Sequence, residues 1–179
     1  MKEIKVEDFE VVRDEYGYDF TTYFDFWDEE VELTLFLRYG EDEKKELSEE
    51  RIDEIIEKSL KNLNSLLKKA EGNREQLMSL LKEKEYIELA TEWVERAEKV
   101  EDKENCYLID DVEVYVPITE EDFEKSLSCS GGMGGEVNLA GEIESLSIYF
   151  VFNPDYFAGH CIECYIEEDG SFSVNGLAG

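Results

Sequence analysis

The order of hydrophobic patterns along this chain predicts an α+β fold, in which an antiparallel sheet carries two long helices on one face plus a short third helix. Strand-like alternation occupies the first forty residues, helical spacing of apolar residues follows over 48–100, and alternation returns after residue 106. Strands and helices segregated along a chain are typical of helices that cover one face of a sheet. No linker-like segment interrupts the chain, so we expect a single acidic domain over residues 1–179.

The first forty residues are expected to form a hairpin. Apolar or β-branched residues occupy every second position in two runs on either side of Asp28-Glu29-Glu30: Phe20, Thr22, Phe24, Phe26, Val31, Leu33, Leu35 and Leu37. Such alternation places one face of each strand in the core. The short acidic connection predicts antiparallel pairing, and a further extended segment is expected before it at residues 9–12.

The middle of the chain is predicted to be helical. Ser48 is a good N-cap and Gly72 a good terminator for a first helix, whose apolar residues recur at spacings of three and four. Asn73 then begins a second helix, with Gln76 placed for a capping box. The apolar stripe of this second helix changes side across residues 82–85, and we therefore expect a break or kink there.

The last third is predicted to return to strands. An extended segment over residues 106–116 ends at Pro117, and Thr119 with Asp122 caps a short helix through Leu127. The glycine-rich residues 128–135 are expected to form a mobile surface loop. A strand over residues 146–152 and a final hairpin over residues 160–174 follow, with the hairpin turn at residues 168–171.

Charge excludes several classes of function. The chain has 47 acidic and 18 basic residues, a formal charge of −29, whereas 42% of its residues are hydrophobic, which is enough for a core. So strong a negative charge argues against binding to nucleic acid or to an anionic membrane surface. No signal-peptide-like or membrane-spanning run is visible, so a cytoplasmic location is expected.

The excess charge is uneven along the chain. Residues 101–179 contain only Lys103 and Lys125 against 18 acidic residues. Acidic side chains of this region are candidates for a contact surface that attracts a basic partner protein: Asp110, Asp111, Glu113, Glu163 and Glu167. The acidic runs do not fit the ligand spacing of a calcium loop, and we predict neither a bound metal nor any other cofactor.

The four cysteines and the single histidine give weak catalytic signals. Cys161 and Cys164 have C-x-x-C spacing, but the surrounding alternation predicts a strand that sends them to opposite faces. His160 is a candidate general base with Asp155 as its orienting carboxylate, which would suit a small hydrolase. A histidine after Gly159 at a strand start more often ties down a turn, and we assign no catalytic residue. The chain is more naturally a non-enzyme.

Residues 153–163, with the sequence NPDYFAGHCIE, resemble a family of uncharacterised bacterial proteins that carry a D-x-F-x-G-H segment before a final hairpin. The closing Leu177-Ala178-Gly179 and the segment WDEEVEL at residues 27–33 are similar in kind. The resemblance marks Asp155, Phe157, Gly159 and His160 as motif residues, although Ala158 stands where the family tends to carry Trp. It implies a bacterial α+β domain of no established activity. Related small acidic domains include immunity proteins that neutralise toxins.

Three functions follow from these features. The first is a non-catalytic acidic interaction domain, of the kind that inhibits a basic toxin. The second is a structural or regulatory module that forms a homo-oligomer, for which a large exposed apolar patch would be expected. The third, which the sequence favours least, is a small hydrolase that uses His160 and Asp155.

Overall fold

The computed structural model describes residues 2–13, 17–38 and 48–179, apart from the side chain of Glu144. Of the eleven strands in these described residues, three come before the helices, β1 (Glu10–Arg13), β2 (Gly17–Phe26) and β3 (Glu29–Arg38), and β4 (Glu98–Lys99) follows the third helix. The other strands are β5 (Cys106–Ile109), β6 (Val112–Tyr115), β7 (Leu127–Ser128), β8 (Met133–Val137), β9 (Ile143–Phe152), β10 (Cys161–Ile166) and β11 (Phe172–Ala178). The helices are α1 (Glu49–Glu71), α2 (Arg74–Glu83), α3 (Tyr86–Val94) and α4 (Glu120–Ser126).

The strands form one large mixed sheet and one small sheet. The large sheet has the order β1-β2-β3-β8-β9-β10-β11, with β7 paired to β9, and the small sheet has the order β4-β5-β6. The predicted first hairpin is confirmed as β2 and β3, and the final hairpin as β10 and β11. The prediction of a purely antiparallel sheet is wrong, because β8 lies parallel to β3. A parallel pair needs a long crossover connection, and α1 to α3 lie within it.

The helices pack on one face of the large sheet. Ser48 caps α1 through its hydroxyl, and the stripe from Ile52 to Ala70 joins the side chains of the sheet in one buried cluster. The expected break in the second helix is confirmed, because α2 ends at Glu83 and α3 begins at Tyr86. The second of the two predicted long helices is therefore two shorter ones. Each half can then turn its own apolar side to the core, which one straight helix would not allow.

The predicted capping box at the start of α2 is wrong. The side-chain amide of Asn73 donates to the carbonyl of Gly170, at 2.8 Å. Gln76 both accepts from the backbone N–H of Phe172 and donates to its carbonyl, at 3.0 and 3.2 Å. These two side chains therefore connect α2 to the final hairpin. They satisfy backbone N–H and C=O groups just before and at the start of β11, which need hydrogen-bond partners.

Two predictions for the last third are also corrected. The extended segment after residue 106 is two strands, joined by a turn in which Asp110 and Asp111 both have positive φ. Of the glycine-rich residues 128–135, predicted to form a surface loop, only 129–132 lie outside strands, because Ser128 ends β7 and residues 133–135 belong to β8, in the interior of the large sheet. By contrast, α4 begins as predicted, with the Thr119 hydroxyl accepting from the backbone of Asp122.

Candidate functional site

One face of the large sheet carries no helix in the described part of the chain. Along β3 and β10 the residues alternate between fully buried and more exposed, and the buried set lies in the helix-covered core. The opposite set forms what we call the open face. Its side chains on five neighbouring strands are Asp19, Thr21, Tyr23, Glu32, Thr34, Phe36, Glu136, Ser145, Ser147, Tyr149, Glu163 and Tyr165.

The centre of the open face is a groove. At Gly132 and Gly134 the chain between β3 and β9 offers no side chain, so its backbone forms a floor between the side chains of these two strands. This glycine groove has a volume of about 420 Å³, and its lining includes Glu32, Phe36, Glu136, Tyr149, Glu163 and Tyr165. Because neighbouring strands lie about 4.8 Å apart, the flanking strands are separated by roughly 10 Å.

Glycine is required beside the groove for a packing reason. A Cβ at Gly131 would lie 2.4 Å from the carbonyl oxygen of Tyr149, which no side chain tolerates. At Gly134, by contrast, a Cβ would meet Ser147 and Phe36 at 3.4 and 3.5 Å, which is ordinary contact. The glycine at 134 is therefore not demanded by packing, and its effect is to leave the groove open.

Two tyrosine–glutamate pairs flank the groove in one row across the sheet. On one side the Tyr23 hydroxyl donates to Glu32, and on the other the Tyr149 hydroxyl donates to Glu163 at 3.2 Å. The hydrogen bond to Glu32 and the charge of that carboxylate raise the pKa of Tyr23. Asn175 donates to the second oxygen of Glu163. Both carboxylates are thus held in place by neutral donors, which leave their negative charge intact.

The groove carries uncompensated negative charge. Among the residues that the structure describes, its lining contains Glu32, Glu136 and Glu163 and no Lys or Arg. In the described part of the chain, the ion pairs lie elsewhere, as between Lys82 and Glu120 or Lys125 and Glu121. Arg38, on the same face, is paired with Asp19 at 2.8 Å.

The motif residues predicted from the sequence build a separate structure, the Asp155 loop (residues 153–160). The Asp155 carboxylate accepts from the backbone N–H groups of Phe157, at 3.0 Å, and of Gly159. Nδ1 of His160 lies 2.9 Å from the carbonyl of Phe157. Phe157 is fully buried, and Trp93 packs edge-on against both Phe157 and His160. Each polar side chain of the motif thus binds the loop's own backbone.

The five acids predicted as a contact surface are divided among four places. Asp110 and Asp111 form the β5–β6 turn, where Asp110 accepts from the backbone N–H of Asp155 at 2.9 Å. Glu113, on β6, pairs with Lys103. Glu167 accepts from the Ser173 hydroxyl at the end of β10. Glu163 alone of the five lines the glycine groove.

Sequence reasoning did not single out Glu32, Glu136, Phe36 and Tyr149. The alternation of β3 and β9 does place Glu32, Phe36 and Tyr149 on the solvent side of their strands, whereas Glu136 lies on β8, which the sequence pattern did not predict. What the pattern does not show is the parallel register of β3 and β8, which brings these residues to either side of the glycines.

Cys161 and Cys164 lie on opposite faces of β10, as the alternation predicted. Cys164 faces the core, where burial raises its pKa to about 12, and Cys161 is half-buried on the other face. Cys129 is also buried, with a pKa raised to about 12 by burial and then by Glu29. Thiols with such pKa values are poor nucleophiles. Within the described ranges, the His, Cys, Asp and Glu side chains form no group of three that would hold a metal ion.

A second cavity lies between α1 and the ends of β9 and β10. It has a volume of about 490 Å³ and is lined by Leu63, Leu66, Lys69, Ile143 and Glu168, among others. Lys69 donates to the Glu168 carbonyl at 3.3 Å and brings positive charge beside the acids here. Because this cleft contains both positive and negative side chains, we expect it to favour ligands of one charge less than the glycine groove does.

The fold and the groove together describe an α+β protein with one helix-covered and one open, acidic sheet face. The chain belongs to a bacterial family described as an uncharacterized protein conserved in bacteria (DUF2262), which it matches over residues 11–177. No curated protein and no solved structure shows significant similarity to it. None of the helices in the described part of the chain is long and apolar enough to cross a membrane.

Proposed function

We propose that this protein is a non-catalytic acidic interaction domain that binds a basic protein through its open face. The observation that supports the proposal is the glycine groove, in which three carboxylates face solvent and the described lining residues include no basic side chain. Carboxylates already paired inside a protein attract a partner weakly, whereas unpaired ones attract it over a distance set by the salt concentration.

The rest of the charge assists this binding. The formal charge of −29 surrounds the groove with a negative field, which speeds encounter with a positively charged protein. Half-buried aromatic rings at the groove, such as Tyr149 and Tyr165, provide contact area at low entropic cost.

The immunity-type form of the proposal names the partner as a basic toxin. An enzyme that cleaves nucleic acid has a basic active site, and an acidic domain can cover it with carboxylates where phosphates would lie. On this hypothesis, the product of the neighbouring upstream reading frame is the protein that the open face covers.

Co-expression with that product tests the proposal. We expect a 1:1 complex by size-exclusion chromatography that weakens as the salt concentration rises. The double variant Glu32→Gln/Glu163→Gln should raise the dissociation constant at least tenfold. The variant Glu57→Gln/Glu92→Gln removes the same charge from exposed positions on α1 and α3 and should change it less than threefold. Absence of a complex, or equal effects of the two variants, would contradict the proposal.

A second candidate function is self-association through the edge of the sheet. Strand β1 lies at this edge, and its Val11 and Val12 are 51% and 53% exposed. An exposed edge strand with apolar side chains is a template for pairing with another chain. Sedimentation velocity of the purified chain should then show a dimer that Val11→Lys dissociates, and a monomer at 100 μM would exclude this function.

A further inference from the structure

We propose that the glycine groove is a subsite for a single arginine side chain, presented by an extended segment of the partner. This inference rests on the proposed function, which it deepens by naming the chemical group recognised. It is carried by the shape of the groove, by the placement of its carboxylates and rings, and by an arginine that the same face already holds.

The dimensions suit one long side chain. The groove lies where Gly132 and Gly134 supply no side chains, so its width is that of one row of side chains. Glu32 and Thr34 form one wall, and Ser147 and Tyr149 form the other. Two strand spacings leave roughly 10 Å between the backbones of the walls. The side chains of the two walls occupy part of this width. The remaining space accommodates the aliphatic part of one side chain along the glycine floor, but not a second sheet or a helix.

The chemistry of the walls suits a guanidinium group. Glu32 and Glu163 lie on opposite sides of Gly132 in one row of the sheet, and neutral hydroxyl and amide donors hold both carboxylates. Each carboxylate oxygen has two lone pairs, so these bonds leave acceptor capacity for further donors. A guanidinium has five N–H donors in a planar fork and stacks on aromatic rings, whereas a lysine ammonium is a compact point charge.

The open face already binds one arginine in this way. The Arg38 guanidinium pairs with Asp19 and also lies over the ring of Phe36, 5.1 Å from its centroid. Phe36 is itself part of the groove lining. A carboxylate beside an aromatic ring therefore holds a guanidinium at the rim. The same two kinds of group line the groove, where the described lining residues supply no Lys or Arg.

A peptide titration tests the subsite directly. The probes are acetyl-Gly-Gly-Arg-Gly-Gly-amide and the same peptide with lysine or with citrulline, the neutral isostere of arginine. Backbone amide chemical shifts of the ¹⁵N-labelled chain are followed at low salt. We expect the arginine peptide to shift residues around Gly132, Gly134 and Glu163 and to bind at least fivefold more tightly than the lysine peptide, with no saturable shift for citrulline.

Two variants separate the groove from general electrostatics. Gly134→Ala places a methyl group on the groove floor at ordinary contact distances, so the chain should fold with an unchanged or raised denaturation midpoint. This variant should nonetheless weaken arginine binding at least fivefold. Glu163→Gln should weaken it comparably without filling the groove, and Glu57→Gln/Glu92→Gln should leave it within twofold.

The outcomes distinguish the inference from the function on which it rests. Shifts scattered over the acidic surface, equal binding of arginine and citrulline, or full binding by Gly134→Ala would overturn the subsite. If the basic partner still binds in that case, the proposed function stands. If the arginine peptide binds in the groove but no complex forms with the upstream product, the toxin partner is wrong and the subsite is retained.

Discussion

The glycine groove and the Asp155 loop both contain carboxylates, but the two regions use them differently. In the loop, the oxygens of Asp155 accept from the backbone of Phe157 and Gly159, so the charge serves to hold the chain in place. In the groove, Glu32 and Glu163 accept from side chains of neighbouring strands, and their charge still faces solvent. The comparison shows that a motif noticeable in sequence can be structural, while less noticeable residues form the binding surface.

The largest effect is expected at the buried anchor of the loop. Phe157→Ala removes a ring that contacts Trp93 and Phe152 in the core, and should lower the free energy of unfolding by about 3–5 kcal/mol. Urea denaturation followed by tryptophan fluorescence measures this loss. A loss below about 1 kcal/mol would show that the loop is not part of the cooperative core.

The next effect concerns the carboxylate of the loop. Asp155→Ala leaves the backbone N–H groups of Phe157 and Gly159 without their acceptor and should cost about 2 kcal/mol. Asp155→Asn retains one acceptor oxygen and should cost about half as much. A purely catalytic role for Asp155 would leave the free energy of unfolding unchanged in both variants. Urea denaturation of Asp155→Ala and Asp155→Asn therefore separates the two roles.

Thiol chemistry gives a third prediction, of smaller effect on stability. Burial raises the pKa of Cys129 and of Cys164 to about 12, so the folded state favours the neutral thiols. Below pH 9 both thiols are protonated in the folded and the unfolded chain, so the pH does not change the free energy of unfolding through them. As the pH rises from about 9 to 12, the unfolded chain loses its thiol protons first, and the free energy of unfolding falls. At pH 8, iodoacetamide should modify Cys161 in the native chain and Cys129 and Cys164 only after denaturation, as read by mass spectrometry. Rapid native modification of either buried thiol would contradict the assignment.

The smallest effect on stability is expected in the groove. Glu32→Gln and Glu163→Gln keep the hydrogen bonds to the tyrosines within reach and should each change the free energy of unfolding by less than about 0.5 kcal/mol. Urea titration of each variant measures the change. A loss above about 1.5 kcal/mol would place these residues with Asp155, as groups that hold the fold together.

The contrast between the two regions also explains which features were visible in the sequence. The hairpin of β2 and β3 follows from residue alternation, and the α2–α3 break follows from a change in the apolar stripe, because both are local patterns. The glycine-rich sequence of β8 is typical of a loop, because glycine is unfavourable in strands. It forms a strand here because it pairs with β3 on one side and β9 on the other. Asn73 and Gln76 have the spacing of a cap but bind a distant hairpin. The groove combines such non-local features, so it was missed.

The most direct test of the central claim is hydroxyl-radical footprinting of the complex with the product of the upstream reading frame, which the proposal requires to be basic. Tyr23 on the open face and Tyr115 on the small sheet are similarly exposed in the free chain, at 61% and 56%, and so form a matched pair. Binding through the open face predicts that oxidation of Tyr23 and Tyr149 falls several-fold while oxidation of Tyr115 is unchanged. Protection of Tyr115 with Tyr23 unaffected would place the partner on the small sheet and contradict the account.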